Sequence, residues 1–166
     1  MAAFLLLLPL VAMRFTDEVA WSVTDFAVFG VMLLCAFGTY HLAATATGNV
    51  AYRAAVGVAV ATVFLLLWIN LAVGIIGSED NPANLMYGGV LGVGILGAFI
   101  ARLRPRGMAR VLTATALAQA LAGVIALFSG SGSTASSLPE SIVFLTALSV
   151  TLWLTAAWLF QRAARR

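Results

Sequence analysis

Carboxylates and side-chain amides gather in one stretch of this chain: Gly77, Ser78, Glu79, Asp80, Asn81, Pro82, Ala83 and Asn84. Such groups are hard oxygen donors, the kind that hold Ca²⁺ or Mg²⁺. With Asp17 and Glu18 brought alongside, they would draw in a cation or a cationic substrate. The spacing matches no calcium loop, and no glycine sits where such a loop must turn. A plainer reading is a solvated turn whose Ser, Asp and Asn side chains cap the next helix, its acids complementing the helix dipole.

Three further polar residues stand in apolar surroundings. Asp25 follows Glu18 by seven residues and Trp21 by four, so one helix face would carry all three. A carboxylate within the membrane is costly and often functional, whereas a shallow one reaches interfacial water. Asn70 and Gln119 fall in the middle of long apolar runs. An amide there seeks a partner across helices, at about 0.6–2 kcal/mol, so the two are expected to bond each other, to line a polar cavity, or to act as packing glue. The candidate polar or ion site is therefore Asp25, Glu79, Asp80, Asn81, Asn84, Asn70 and Gln119.

His41 is the only histidine and Cys35 the only cysteine. A haem wants two axial side chains, so His41 would need a methionine partner or a second copy of itself. Near a helix C-terminus a histidine more simply complements the dipole. The chain has no Ser/His/Asp set, no His-x-x-x-His pair, no Walker loop and no dinucleotide fingerprint. No catalytic residue emerges, no cofactor or metal is specified, and an enzyme is disfavoured. A single cysteine permits no internal disulfide.

The elements that must carry these residues follow from composition. Of 166 residues, 63% are hydrophobic and only 9% charged. Nine basic residues and six acids cannot clothe a soluble domain of this size. Lipid must replace water over most of the surface, and there only helices or a closed barrel satisfy the backbone. The apolar stretches are continuous and lack the alternation of barrel strands. The expectation is an all-α polytopic bundle of five to six transmembrane helices, one integral membrane domain over 1–166. Helices are placed at 2–14, 21–45, 52–76, 82–102, 108–128 and 139–161.

The first of these is interrupted by Pro9 and reaches about 18–20 Å, short of the ~30 Å hydrocarbon core. It reads as a retained short helix or as the apolar part of a signal peptide, without the basic start and small-residue cleavage site of the latter. Pro82 and Pro139 suit first helical positions, where the missing N–H costs nothing, with Asn81 and Ser137 or Leu138 near the caps.

All nine basic residues are arginines, and their distribution orients the chain. Arg53, the group Arg102, Arg104, Arg106 and Arg110, and the tail Arg162, Arg165 and Arg166 fall at one side, while the acids fall at the other; Arg14 alone departs. Arginine marks the cytoplasmic face, which places the acidic loops outside. The net charge of +3 is thus a topology signal, and no nucleic-acid partner is expected. Trp21 and Tyr87 suit the outer aromatic belt; Tyr40, Tyr52 and Trp158 suit the inner one. Successive helix pairs turn at Asp17, Asp80 and Glu140, about 60 residues apart, as an ancestral hairpin repeat or plain topology would give.

Small residues mark contact surfaces. Gly88 and Gly92 have GxxxG spacing, in a segment that also holds Gly89, Gly94 and Gly97, and Ala114, Ala118 and Ala122 form a similar ridge. Such faces let helices approach closely, within one chain or toward a second copy or another membrane protein.

The segment NLAVGIIGSEDNPANLMY (70–87), with RPRGMAR (104–110) and FTDEVAW (15–21), resembles a group of small, uncharacterised bacterial multi-pass inner-membrane proteins. The resemblance covers most of the chain and implies only that this helix arrangement recurs; it transfers no site. Three functional classes follow from the residues. A structural or accessory membrane subunit leads; a small cation or solute transporter with an acidic outer vestibule is the alternative. A redox protein using His41 comes last. A transporter requires Asp25, Asn70 and Gln119 to point into one interior.

Overall fold

The computed structural model describes residues 2–15, 21–72, 74–76, 81–129 and 139–165. Among these are α1 (Ala2–Ala12), α2 (Val23–Ala46), α3 (Val50–Ala72), α4 (Leu85–Ile100), α5 (Pro105–Ser129) and α6 (Pro139–Ala163), with a 3₁₀ turn at Pro82–Asn84 entering α4. No strand occurs among the described residues. Five segments are long and apolar enough to cross a membrane, namely α2, α3, the turn with α4, α5 and α6. The chain is an all-α transmembrane protein. Its backbone contacts divide it into two compact units, Met1–Ala46 and Thr47–Arg166.

The first unit holds α1 and α2. At only 11 residues, α1 is too short to span unaided. Its Leu6 side chain lies 3.9 Å from where a Cβ on Gly30 would stand, so the glycine lets the two helices meet. Trp21 packs edge-on against Phe26 and Phe29 at 5.2 and 5.3 Å. Of the 24 residues of α2, only Leu33 is buried.

The second unit is a bundle of α3, α4, α5 and α6. Its packing order differs from its chain order: α6 packs against both α3 and α5, and α4 packs against α5. The pair α3–α4, which the sequence reads as a hairpin, barely touches. The central helix α6 accordingly buries a broad face, including Ile142, Ser149, Trp153, Ala156 and Phe160.

Residue spacing explains the fit. On α5 the buried residues Ala109, Leu112, Ala116, Gln119, Gly123 and Ala126 recur at alternating steps of three and four, the period of knobs-into-holes packing. Gly123 is where α6 comes closest, since a Cβ there would lie 2.5 Å from the Thr146 side chain. A second row on α5 meets α4. Thr115 lies 3.4 Å from the position of a Cβ on Gly94, and Val111 2.5 Å from one on Gly97. In lipid no hydrophobic drive separates core from surface, so small residues decide which faces meet.

Several boundaries shift from those read in the sequence. α3 ends at Ala72, before 76, because Gly74 adopts φ 75° and returns its N–H to the Ile69 carbonyl at 3.1 Å. α5 begins at Pro105 and not at 108, the proline occupying the first helical position. Tyr87 is 1% exposed and belongs to the core, not to the outer aromatic belt. Gly88 and Gly92 have nothing within 4 Å of a built Cβ, so close approach within the bundle uses Gly94 and Gly97 instead. Ala114 is exposed and Ala118 half-buried, so the α5 ridge lies rotated from the expected one.

Between α4 and α5, Arg102 and Leu103 take φ of 50° and 56°. The left-handed region costs a non-glycine residue roughly 1–2 kcal/mol. Leu103 is 58% exposed and contributes its carbonyl, not its side chain, to the Tyr52 contact. Replacing Leu103 by glycine should raise stability by about 0.5–1 kcal/mol, part of the relief being offset by unfolded-state entropy. Thermal unfolding in detergent checks this, with a rise in Tm of roughly 2–4 °C expected and a fall contradicting the strain argument.

Candidate functional site

The polar residues singled out above occupy three separate settings. At the end of the bundle opposite the arginines, Asn84 is 4% exposed and forms a hub. Its Oδ1 accepts from the N–H groups of Ile75 at 3.0 Å and Ile76 at 2.9 Å. Its Nδ2 donates to the Ile76 carbonyl at 3.4 Å. Asn70, near the end of α3, donates from Nδ2 to the Asn84 carbonyl at 3.3 Å. Asn81 caps the 3₁₀ turn by accepting from the Ala83 N–H at 3.0 Å. These amides satisfy backbone groups where the chain leaves α3 and enters α4, which is why Ile75 and Ile76 can be buried there. Glu79 and Asp80 lie outside the described residues, as do Asp17 and Glu18.

Asp25 has a different role. Ser22 donates to its Oδ2 from both N–H, at 2.7 Å, and Oγ, at 2.8 Å, and the Asp25 N–H returns to Ser22 Oγ at 3.2 Å. This reciprocal pair is a capping box closing the start of α2. Asp25 is exposed and belongs to the first unit, apart from the asparagines of the second.

Gln119 is 1% exposed, inside the second unit on α5. It does not pair with Asn70, whose amide is bound to Asn84. Its Oε1 has no hydrogen-bond partner, and the same holds for Tyr87 Oη, Thr146 Oγ1 and Trp153 Nε1. Asn70 and Gln119, both in the second unit, therefore do not bond each other.

The arginine end contains Asn49, which the sequence does not single out, and Tyr52, which reads there only as an inner-belt aromatic. Asn49 caps α3 by accepting from the Tyr52 N–H at 3.1 Å, and its Nδ2 donates to the Ala163 carbonyl of α6 at 3.2 Å. The Tyr52 hydroxyl donates to the Leu103 carbonyl at 3.0 Å, and its ring packs edge-on against Phe160 at 5.1 Å. The signal was present: an asparagine just before an apolar run is a cap pattern. Arg162 lies 3.8 Å over the Trp158 ring, and Arg102, Arg104 and Arg106 are exposed at the α4–α5 turn.

Neither remaining chemical candidate gathers partners. His41 is exposed on α2, and no group of three His, Cys, Asp or Glu able to hold a metal occurs among the described residues. An open groove of about 380 Å³ on α6 is lined by Thr151, Leu154, Thr155 and Trp158. Both of its threonine hydroxyls donate to their own helix, at 2.7 Å each. No protein-family model matches the chain, nor does any curated protein or solved structure, so the functional reading rests on this geometry.

Proposed function

We propose that the protein is a structural or accessory subunit of an assembly in a bacterial inner membrane, with its arginine-bearing ends in the cytoplasm. The observation that carries this reading is that the described polar side chains serve the fold. Asp25 is engaged in a cap, Asn70 and Asn84 in a loop pin, and Gln119 in the bundle core. A transporter needs such groups along one path; a scaffold needs them where helices end and meet. The clustering of Arg53, Arg102, Arg104, Arg106 and Arg162 at one end of the bundle supports the orientation.

Two apolar faces support a partner. Only Leu33 of α2 is buried, and α4 presents Gly88, Gly89 and Gly92 with open space around them. A glycine face that no described helix of the second unit uses suits close approach by another helix, either of a second copy or of a different membrane protein. The test uses single cysteines at Gly88 or Gly92 in a Cys35→Ser background, cross-linked in native membranes. A discrete product larger than the 17.3 kDa chain is expected at both, and none from a cysteine at Gly97, which Val111 covers. Absence of product at positions 88 and 92 would contradict the assignment of this face.

A further inference from the structure

The four buried polar atoms without partners are not scattered. Thr146 of α6 meets Gly123 of α5, and Thr115 and Val111 of α5 meet Gly94 and Gly97 of α4 in antiparallel order. Gln119 lies midway between Thr115 and Gly123, one turn from each. Thr146 also reaches the Tyr87 side chain of α4, although neither hydroxyl completes a hydrogen bond. Trp153 stands seven residues beyond Thr146, about 10 Å along α6. Tyr87, Thr146 and Gln119 thus stand where α4 and α6 pack on α5, with Trp153 farther along α6.

Their chemistry is complementary. Tyr87 and Trp153 offer donors, Gln119 Oε1 is an acceptor, and Thr146 is both. Tyr87, Gln119 and Trp153 are 1%, 1% and 2% exposed, so neither bulk water nor a lipid headgroup satisfies them. In lipid an unsatisfied polar group is expensive, and in folded proteins buried polar groups with no protein partner are usually served by ordered water. We infer that this interior is a water-binding site, in which internal water bridges Tyr87, Thr146 and Gln119 and continues toward Trp153. The bridges tie α4, α5 and α6 together where their side chains do not meet directly. The inference is independent of the role as a subunit.

The sign of a stability change separates a wet interior from a dry one. Tyr87→Phe and Gln119→Met keep shape and remove the polar atom. If that atom is unpartnered, its removal relieves an uncompensated desolvation and Tm rises. If water bridges it, removal leaves the water and its other partners short of a bond, and Tm falls. The expected result is a fall of about 2–4 °C or more for each variant. X-ray pulse footprinting of the intact protein in detergent is the second readout, since radicals formed from internal water modify the side chains it touches. Tyr87 and Trp153 are expected to be modified well above the equally buried Phe160. A rise in Tm for both variants overturns the inference, as does silence at Tyr87 and Trp153 while the exposed Trp158 reacts.

Discussion

Replacing Asn84 by leucine should destabilise the α3–α6 bundle by about 2–6 kcal/mol, the largest effect expected of any single polar change. The magnitude follows from what the amide holds. Its Oδ1 accepts from two backbone N–H groups, those of Ile75 and Ile76, and both residues are buried. Each N–H left unsatisfied costs about 1–3 kcal/mol. Leucine has the same branched outline, is no smaller and offers no acceptor, so the loss is not a cavity effect. Asn70→Leu removes one longer bond, 3.3 Å, to the Asn84 carbonyl, and should cost only about 1 kcal/mol. Chemical or thermal unfolding in detergent measures both. Equal effects would mean that Asn84 is not the hub.

Gly123→Ala should cost about 1–3 kcal/mol, although alanine is the better helix former by up to about 1 kcal/mol. A Cβ at this position would stand 2.5 Å from both Thr146 Cγ2 and Oγ1, and 3.0 Å from Thr146 Cβ. Threonine is short and branched, so it cannot swing aside as a long side chain does. Either α5 and α6 separate or the backbone shifts. Thr146→Ala removes the two nearest atoms, and the double variant should recover most of the loss, a coupling that a double-mutant cycle resolves. By contrast Gly92→Ala, with nothing within 4 Å, should leave the fold unharmed. A Gly123→Ala protein as stable as the parent would mean that the helices do not approach here.

Those two residues show what sequence can and cannot convey in such a chain. The spans are legible because lipid demands long unbroken apolar runs, and Asn81 and Pro82 read correctly as a helix start. Which helix meets which is not legible, since lipid-facing and core-facing residues are equally apolar and periodicity loses its contrast. Gly88 and Gly92 matched a known spacing yet remain open, while Gly94, Gly97 and Gly123 make the contacts. The three-and-four repeat from Ala109 to Ala126 marks the buried face of α5, whereas Ala114 and Ala118 lie off it. Pro105 was hidden because Arg-Pro-Arg-Gly resembles a loop, though Pro at the first helical position is a start signal as well.

The candidate site was legible in its parts and not in its grouping. Asp25 reads as an intramembrane carboxylate or as a shallow one reaching interfacial water; that it caps with Ser22, three residues before it, shows only once the start of α2 is known. Asn84 appeared as one of several loop oxygens, yet its burial depends on Ile75 and Ile76 folding back beneath it, a tertiary event. Tyr87 suits the membrane interface by type, but its hydroxyl is buried inside the bundle.

The measurement that tests the central claim most directly is native mass spectrometry of the protein released from its own membrane in a mild detergent or native nanodisc. A subunit should appear in a discrete complex whose mass exceeds that of one 17.3 kDa chain by a fixed, reproducible amount, either a whole number of copies or one further polypeptide. Recovery solely as a single chain with lipid, under conditions that preserve other assemblies of the same membrane, would contradict it.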